Sequence, residues 1–308
     1  MNNRAERKKE MDIWHRIGRI VRISNLGTLI FFLLNIGLLL CLFSPYGLTA
    51  KNILIITGSY LLSVLLSLSP LGEAVLGALA GAHEIKRNDI KIKLVPLLEI
   101  VYGEAKKCTP YMVNSLRLKI VYDEKPNAFA VGRRTICVTE GLLQLNDDEI
   151  MAVFAHEIGH IAYGHSLIYL MIGGGNLMIA GGLLLIKLTC WTITALCGLL
   201  AIGIKSTLGR MLVILLGVLS SLSIWLWTKF CMLFLCWSMR QNEFAADEYA
   251  YRIGFGNTLA RVLDQCLCSP PERGLLQALY STHPHTDERV GRLQNMGAIY
   301  SRYYPTVY

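Results

Sequence analysis

The chain has 308 residues, of which 53% are apolar and 17% charged, and a net charge of +8. Soluble domains carry about 25% charged residues, so this balance argues against an ordinary water-soluble enzyme and for residence in a membrane. The positive charge does not indicate nucleic acid, because the basic residues cluster beside apolar runs and are not interleaved with aromatics on a polar surface. The nine cysteines include no Cys-x-x-Cys pair, so neither a disulfide framework nor a thiolate zinc site is expected.

The lead MNNRAERKKEMDIWHRIGRIVR is too long and too mixed in charge for a signal-peptide start, and no small-residue cleavage site follows. The first apolar run is therefore expected to persist as an uncleaved span. Residues 26–43 and 53–68 read as a membrane hairpin, each near the ~20 apolar residues that cross ~30 Å of hydrocarbon. Arg4, Arg7, Lys8, Lys9, Arg16, Arg19 and Arg22 precede it, and only Lys51 lies in its loop. The excess of cations puts both ends of the hairpin, and the polar segment after it, in the cytosol.

In that segment LRLKIVY, NAFAV and RTICVT have strand character, with Gly132-Arg133 as a tight turn between the last two, so a small sheet is expected. NDDEIMAVFAHEIGHIAYGH reads as a helix: Asn146 caps it, Glu149 completes a capping box, and Ile150, Val153 and Phe154 form its apolar face. A second apolar block covers 167–237. Residues 167–186 and 211–228 are spans, while 188–204 is long enough to cross, to extend a span, to re-enter or to lie in the interface. Its glycines, Gly173, Gly174, Gly175, Gly181 and Gly182, suit close helix packing, and Trp225, Trp227 and Trp237 suit the interface or packing. Four divisions follow: 1–70, the basic segment and first hairpin; 71–165, a first catalytic part; 166–237, the second hairpin; 238–308, a second catalytic part.

The chemistry lies in AHEIGH. His156 and His160 are four apart, so on a helix both imidazoles leave one face and can reach a single Zn2+. Glu157 supplies the carboxylate that takes a proton as water attacks a carbonyl. A third ligand is needed. The metzincin spacing would place Gly at 163 and His at 166, where the chain has Tyr163 and Ser166; His165 misses by one and reads as a helix-end or interface residue. A glutamate on a second helix fits instead. In RQNEFAADEYAYRIG, Glu243 can ligate while Asp247, one turn on, accepts a hydrogen bond from a ligating imidazole and fixes its tautomer. This is the gluzincin arrangement. Sharing one ion, His156 and Glu243 require an even number of crossings between them, and the intervening length holds two. Both helices are expected to run directly into these spans, placing the zinc near the cytosolic membrane surface.

Together, PNAFAVG, VTEGLLQLNDDEIMAVFAHEIGHIAYGH, NEFAADEYA and STHPHTDERVGRL, around an apolar block, resemble the HtpX family of membrane zinc metalloproteases and, more distantly, the type I CAAX prenyl endopeptidases. The resemblance implies a mainly α membrane protein with two N-terminal and two central transmembrane helices. Its catalytic domain would be α+β and zincin-like, with a small sheet beside the HExxH helix. It implies His156, His160 and Glu243 as ligands of one Zn2+ per chain, Glu157 as general base, and His283 as a donor near the developing oxyanion. On residues alone, His283 could equally cap a helix before Pro284; His285 has no such support. Asn127, Ala128, Phe129 and Ala130 would form a strand along the cleft that takes an extended substrate by backbone pairing, a plain core hairpin being the alternative.

The function expected is a zinc endopeptidase of stress response and protein quality control. It would lie in a bacterial inner membrane, pass it several times, and cut unfolded segments of membrane proteins on the cytosolic side. Its partners would be those substrates and the bilayer, with no nucleic acid. A zinc-dependent membrane sensor with self-cleavage is the rival reading; a relic scaffold is disfavoured by the intact Glu157.

Overall fold

The computed structural model describes residues 25–43, 47–203, 207–266 and 283–302. The basic lead, on which the positive-inside argument draws, lies outside the described residues.

Two helices open the fold, α1 (Leu26–Phe43) and α2 (Ala50–Ser67), the second capped by Thr49, whose hydroxyl accepts the Asn52 amide. They lie side by side, and inside the pair Asn35 donates to the Tyr60 hydroxyl at 3.3 Å. α3 (Pro70–Leu79) starts at once, with Ser69 as cap and Pro70 in the first turn, where a missing N–H costs nothing. α4 (Asn88–Cys108) buries Ile90, Leu94, Leu97, Leu98, Val101 and Ala105, an apolar face with helical spacing.

The sheet has four strands, β1 (His83–Glu84), β2 (Arg117–Val121), β3 (Ala128–Val131) and β4 (Thr135–Thr139), in the order β1-β2-β4-β3. β2 runs parallel to β4 and β3 antiparallel to it, with Ala130 opposite Ile136 and Val131 opposite Thr135. The expected turn spans Gly132–Arg134, and β3 is an edge strand. Alternation puts Ile120, Ile136 and Val138 into the main core and Arg117, Lys119, Thr135 and Cys137 on the opposite face.

After a 3-10 turn (Glu140–Gln144) comes α5 (Asp147–Tyr163), which fills the core between the sheet, α4 and the C-terminal helices. α6 (His165–Gly203) and α7 (Thr207–Arg252) then pack along each other, followed by α8 (Gly256–Gln265) and α9 (Thr286–Asn295). Residues 188–203 belong to α6, so the segment left open by the sequence extends a helix. Of the five glycines expected to pack closely, Gly174 does so: a Cβ there would lie 2.4 Å from the Ser67 Cβ of α2, while around Gly173, Gly181 and Gly182 there is open space. Among the described residues two helical stretches are long and apolar enough to cross a membrane, Ala50–Ser67 and Gly217–Arg252; Leu26–Cys41, His165–Gly174 and Trp191–Leu200 are shorter apolar pieces.

Candidate metal centre

The capping box read from the sequence is formed: Asn146 Oδ1 accepts the Glu149 amide at 3.0 Å, and Glu149 Oε2 accepts the Asn146 amide at 3.1 Å. With its start fixed, α5 turns His156 and His160 to one side, their Nε2 atoms 3.2 Å apart and both residues buried. The helix does not run on into the membrane block, as the sequence suggested. Gly164 takes a left-handed conformation, φ 76°, which only a residue without a Cβ adopts freely, and α6 restarts at His165.

Glu243 arrives from α7, which does continue from the apolar block in one helix. Its Oε1 lies 3.4 Å from His160 Nε2 and its Oε2 3.6 Å from His156 Nε2. Gly159 makes this approach possible. A Cβ there would lie 3.0 Å from both the Cα and the carbonyl oxygen of Ala246, so glycine lets the two backbones come this close without either giving way.

A second ring of groups holds these three. Asp247 Oδ1 is 2.9 Å from His156 Nδ1, the contact expected of it. Arg289, from α9, donates to both Asp247 oxygens at 2.7 and 2.8 Å, and its Nη1 is 3.1 Å from Glu243 Oε2. Burial opposes the Arg289 charge, but the two carboxylates more than restore it, and its pKa is held above the ordinary value. On the other histidine, His160 Nδ1 lies 3.1 Å from His165 Nδ1, and His165 is fully buried. Each of the two imidazoles has a partner at Nδ1, and with the proton there both Nε2 lone pairs face each other and a carboxylate. That convergence of electron pairs, with all ligand atoms within 4.8 Å of one another, suits a cation.

Glu157 is buried beside the pair and accepts a hydrogen bond from the Ala130 amide of β3; burial pushes its pKa up, against the opposing pull of His160 and His156. Asn127 to Ala130, Glu157, the three metal-competent residues, His283 and Arg289 line one cleft of about 770 Å³. His283 Nδ1 lies 3.2 Å from Glu243 Oε2, with 63% of its side chain exposed. The helix-capping role considered for His283 falls to His285, whose ring accepts the Asp287 amide at the start of α9.

Arg289 has no role assigned from the sequence, and His165, read there as a helix-end or interface residue, does start α6 but also meets His160. Tyr169, passed over in the sequence as well, comes into the same cleft from α6. His165 had a signal, a third histidine five residues beyond His160; Arg289 had none, being an arginine in a charged helix.

Residues 113–297 match the model of peptidase family M48. A protease HtpX homologue of Tropheryma whipplei (strain Twist) is 28% identical over 248 residues, 71% of this chain and 77% of its own. One from Thermococcus sibiricus is 30% identical over 235 residues, 65% of this chain and 75% of its own. Among solved structures, S. mikatae Ste24p aligns with 92% of this chain and 65% of its own at a TM-score of 0.48 and 16% identity. The family match covers more than half of the chain and includes both helices that build the cluster, and the chain belongs to peptidase family M48, as an HtpX-type metalloprotease.

Proposed function

We propose that the protein is an integral-membrane zinc endopeptidase that cuts unfolded segments of membrane proteins at the cytosolic face of a bacterial inner membrane. The observation that carries the reading is the convergence of two imidazole Nε2 atoms and the Glu243 carboxylate beside a buried glutamate, next to β3, the edge strand among the described residues. In it, His156, His160 and Glu243 hold the metal, and Asp247 steadies His156. Zinc held by these residues supplies Lewis acidity, polarising a carbonyl and making water more acidic. Glu157 takes the proton of the attacking water and passes it to the leaving amine, a task its place beside both histidines and in the cleft suits. His283, exposed in the cleft, donates to the oxygen of the carbonyl under attack.

The edge strand accounts for substrate binding. The Thr139 amide donates to the Asn127 carbonyl at 3.0 Å, so by alternation 127, 129 and 131 turn their backbone groups to β4, while 128 and 130 turn theirs to the open edge. The Ala130 amide meets Glu157 and the Ala128 amide meets Asn127 Oδ1. Among the described residues the carbonyls of Ala128 and Ala130 are left for an incoming strand, which would lie alongside the base. Pairing through backbone reads little side-chain identity and favours any segment that is already unfolded.

Glu157→Gln should keep zinc and lose hydrolysis, whereas His156→Ala and Glu243→Ala should lose the metal. Metal analysis and casein cleavage by detergent-purified protein decide it. Activity surviving in Glu157→Gln removes the base, and full zinc occupancy in Glu243→Ala removes the third ligand.

A further inference from the structure

A second cavity, of about 590 Å³, lies on the other face of the sheet from the core, roofed by α3. Alternation along β2 turns Arg117 and Lys119 into it, and the β3–β4 turn adds Arg133 and Arg134. The Arg117 amide bonds the Arg134 carbonyl at 2.7 Å, so the two chain segments that carry the arginines are fixed together. Within the described residues Arg117, Arg133 and Arg134 have no carboxylate within 4.0 Å, and Lys119 has only Glu84, 3.7 Å away on a 77% exposed side chain. The other acid of the cavity, Glu73, accepts the Thr135 hydroxyl at 2.6 Å. Four cations therefore face two carboxylates, one of them engaged by a neutral donor.

Arg117, Arg133 and Arg134 are exposed, so solvent screens part of their mutual repulsion, and an anion held between them would relieve the rest. Guanidinium groups match phosphate oxygens in pairs, and Asn114 and Ser115 on the same wall add neutral polar groups. The cavity also has a definite place in the fold. Its wall includes Leu68 and Pro70, where α2 ends, and its basic turn is held to the first turn of α6 by the Ser166 hydroxyl, which donates to the Gly132 carbonyl at 2.6 Å. On the reading that α2 and α6 cross the bilayer, the cavity opens at the membrane boundary, at headgroup depth.

We propose that this cavity is a binding site for a phosphate-bearing anion, supplied at the membrane boundary by the headgroup of an anionic lipid. It lies apart from the hydrolytic cleft and would tie the α3–sheet unit to the bilayer surface, fixing the height of the catalytic part above it.

The test uses full-length protein in detergent and the triple variant R117Q/R133Q/R134Q, with K91Q/K107Q/R302Q as a control of equal charge change and circular dichroism to confirm the fold. Native mass spectrometry would count phosphatidylglycerol and phosphatidylcholine retained as each lipid is titrated. The expected result is one phosphatidylglycerol retained at a concentration at least ~10-fold below that needed for phosphatidylcholine, with the preference lost in the triple variant and kept in the control. Inorganic phosphate, added to lipid-free protein, forms the second arm: a thermal shift that the triple variant lacks, without a lipid preference, supports the phosphate site and assigns it to a soluble source. This arm needs no bilayer, so a failure of the membrane topology leaves it readable. A triple variant that matches wild type in both arms, or a wild type that responds in neither, overturns the proposal.

Discussion

His156 and His160 are held by different chemistry. The first hydrogen-bonds a carboxylate that is itself clamped by Arg289, and the second meets another imidazole, His165. A carboxylate raises the basicity of the ring it holds; a neutral acceptor fixes the tautomer and adds little charge. Asp247→Asn should therefore weaken zinc retention by ~10–100-fold while the fold persists, since the amide oxygen still accepts one bond. Chelator competition measures this, and equal zinc retention with equal turnover would reduce Asp247 to a packing residue. His165→Ala should weaken retention by less, roughly 10-fold, and His165→Asp should restore it by supplying an acceptor with charge. Chelator competition on His165→Ala at wild-type level would show that the imidazole contact is idle. The metal-competent cluster was legible because its residues sit at fixed intervals along two helices, and a helix converts interval into direction. Arg289 was not, because only the packing of α9 against α7 brings it to the cluster.

α5 and α7 meet where Gly159 faces Ala246, and this crossing sets the distance between two ligands and the third. Gly159→Ala adds helix propensity worth ~1 kcal/mol but places a methyl against backbone that cannot rotate away, an overpacking cost of ~1–3 kcal/mol. The helices should part slightly, and zinc affinity should fall more than stability does. Comparing chelator competition with denaturant unfolding separates the two, and unchanged affinity would show that the crossing has slack. Sequence reading recovered β2, β3, β4 and the capped start of α5, all fixed by local alternation or by side chains three residues apart. It did not reach the parallel pairing of β2 with β4, because β3 intervenes in the chain and register across such a crossover is settled by packing. α4 and its apolar face were visible in the spacing of Ile90, Leu94 and Val101 but carried no motif to draw attention to them.

At 1.5 Å per residue, the 39 residues of α6 and the 46 of α7 make helices of about 58 and 69 Å, well beyond the ~30 Å of a bilayer core. Both ends of the α6–α7 pair that carry site residues, His165 and Glu243, must emerge on one side. In a cysteine-free background, Lys125→Cys and Ile299→Cys should be labelled only after cells are permeabilised, and Leu48→Cys in the α1–α2 connection should be labelled in intact cells. Labelling of Lys125→Cys from outside would contradict the topology. The two helix pairs, α1–α2 and α6–α7, were legible from apolar runs; the limits of any spans within them were not, since apolar residues continue past the length a membrane needs.

The wide separation of the site residues along the chain bears on how the protein is made. His156 and Glu243 are joined only through the whole of α6 and α7, and Arg289 comes later still. A ribosome that has released the HExxH helix has released half of a blade. The cluster is complete only once α7 has packed against α5, and Arg289 joins it only after α9 has docked, so the HExxH helix leaves the ribosome well before its third partner exists.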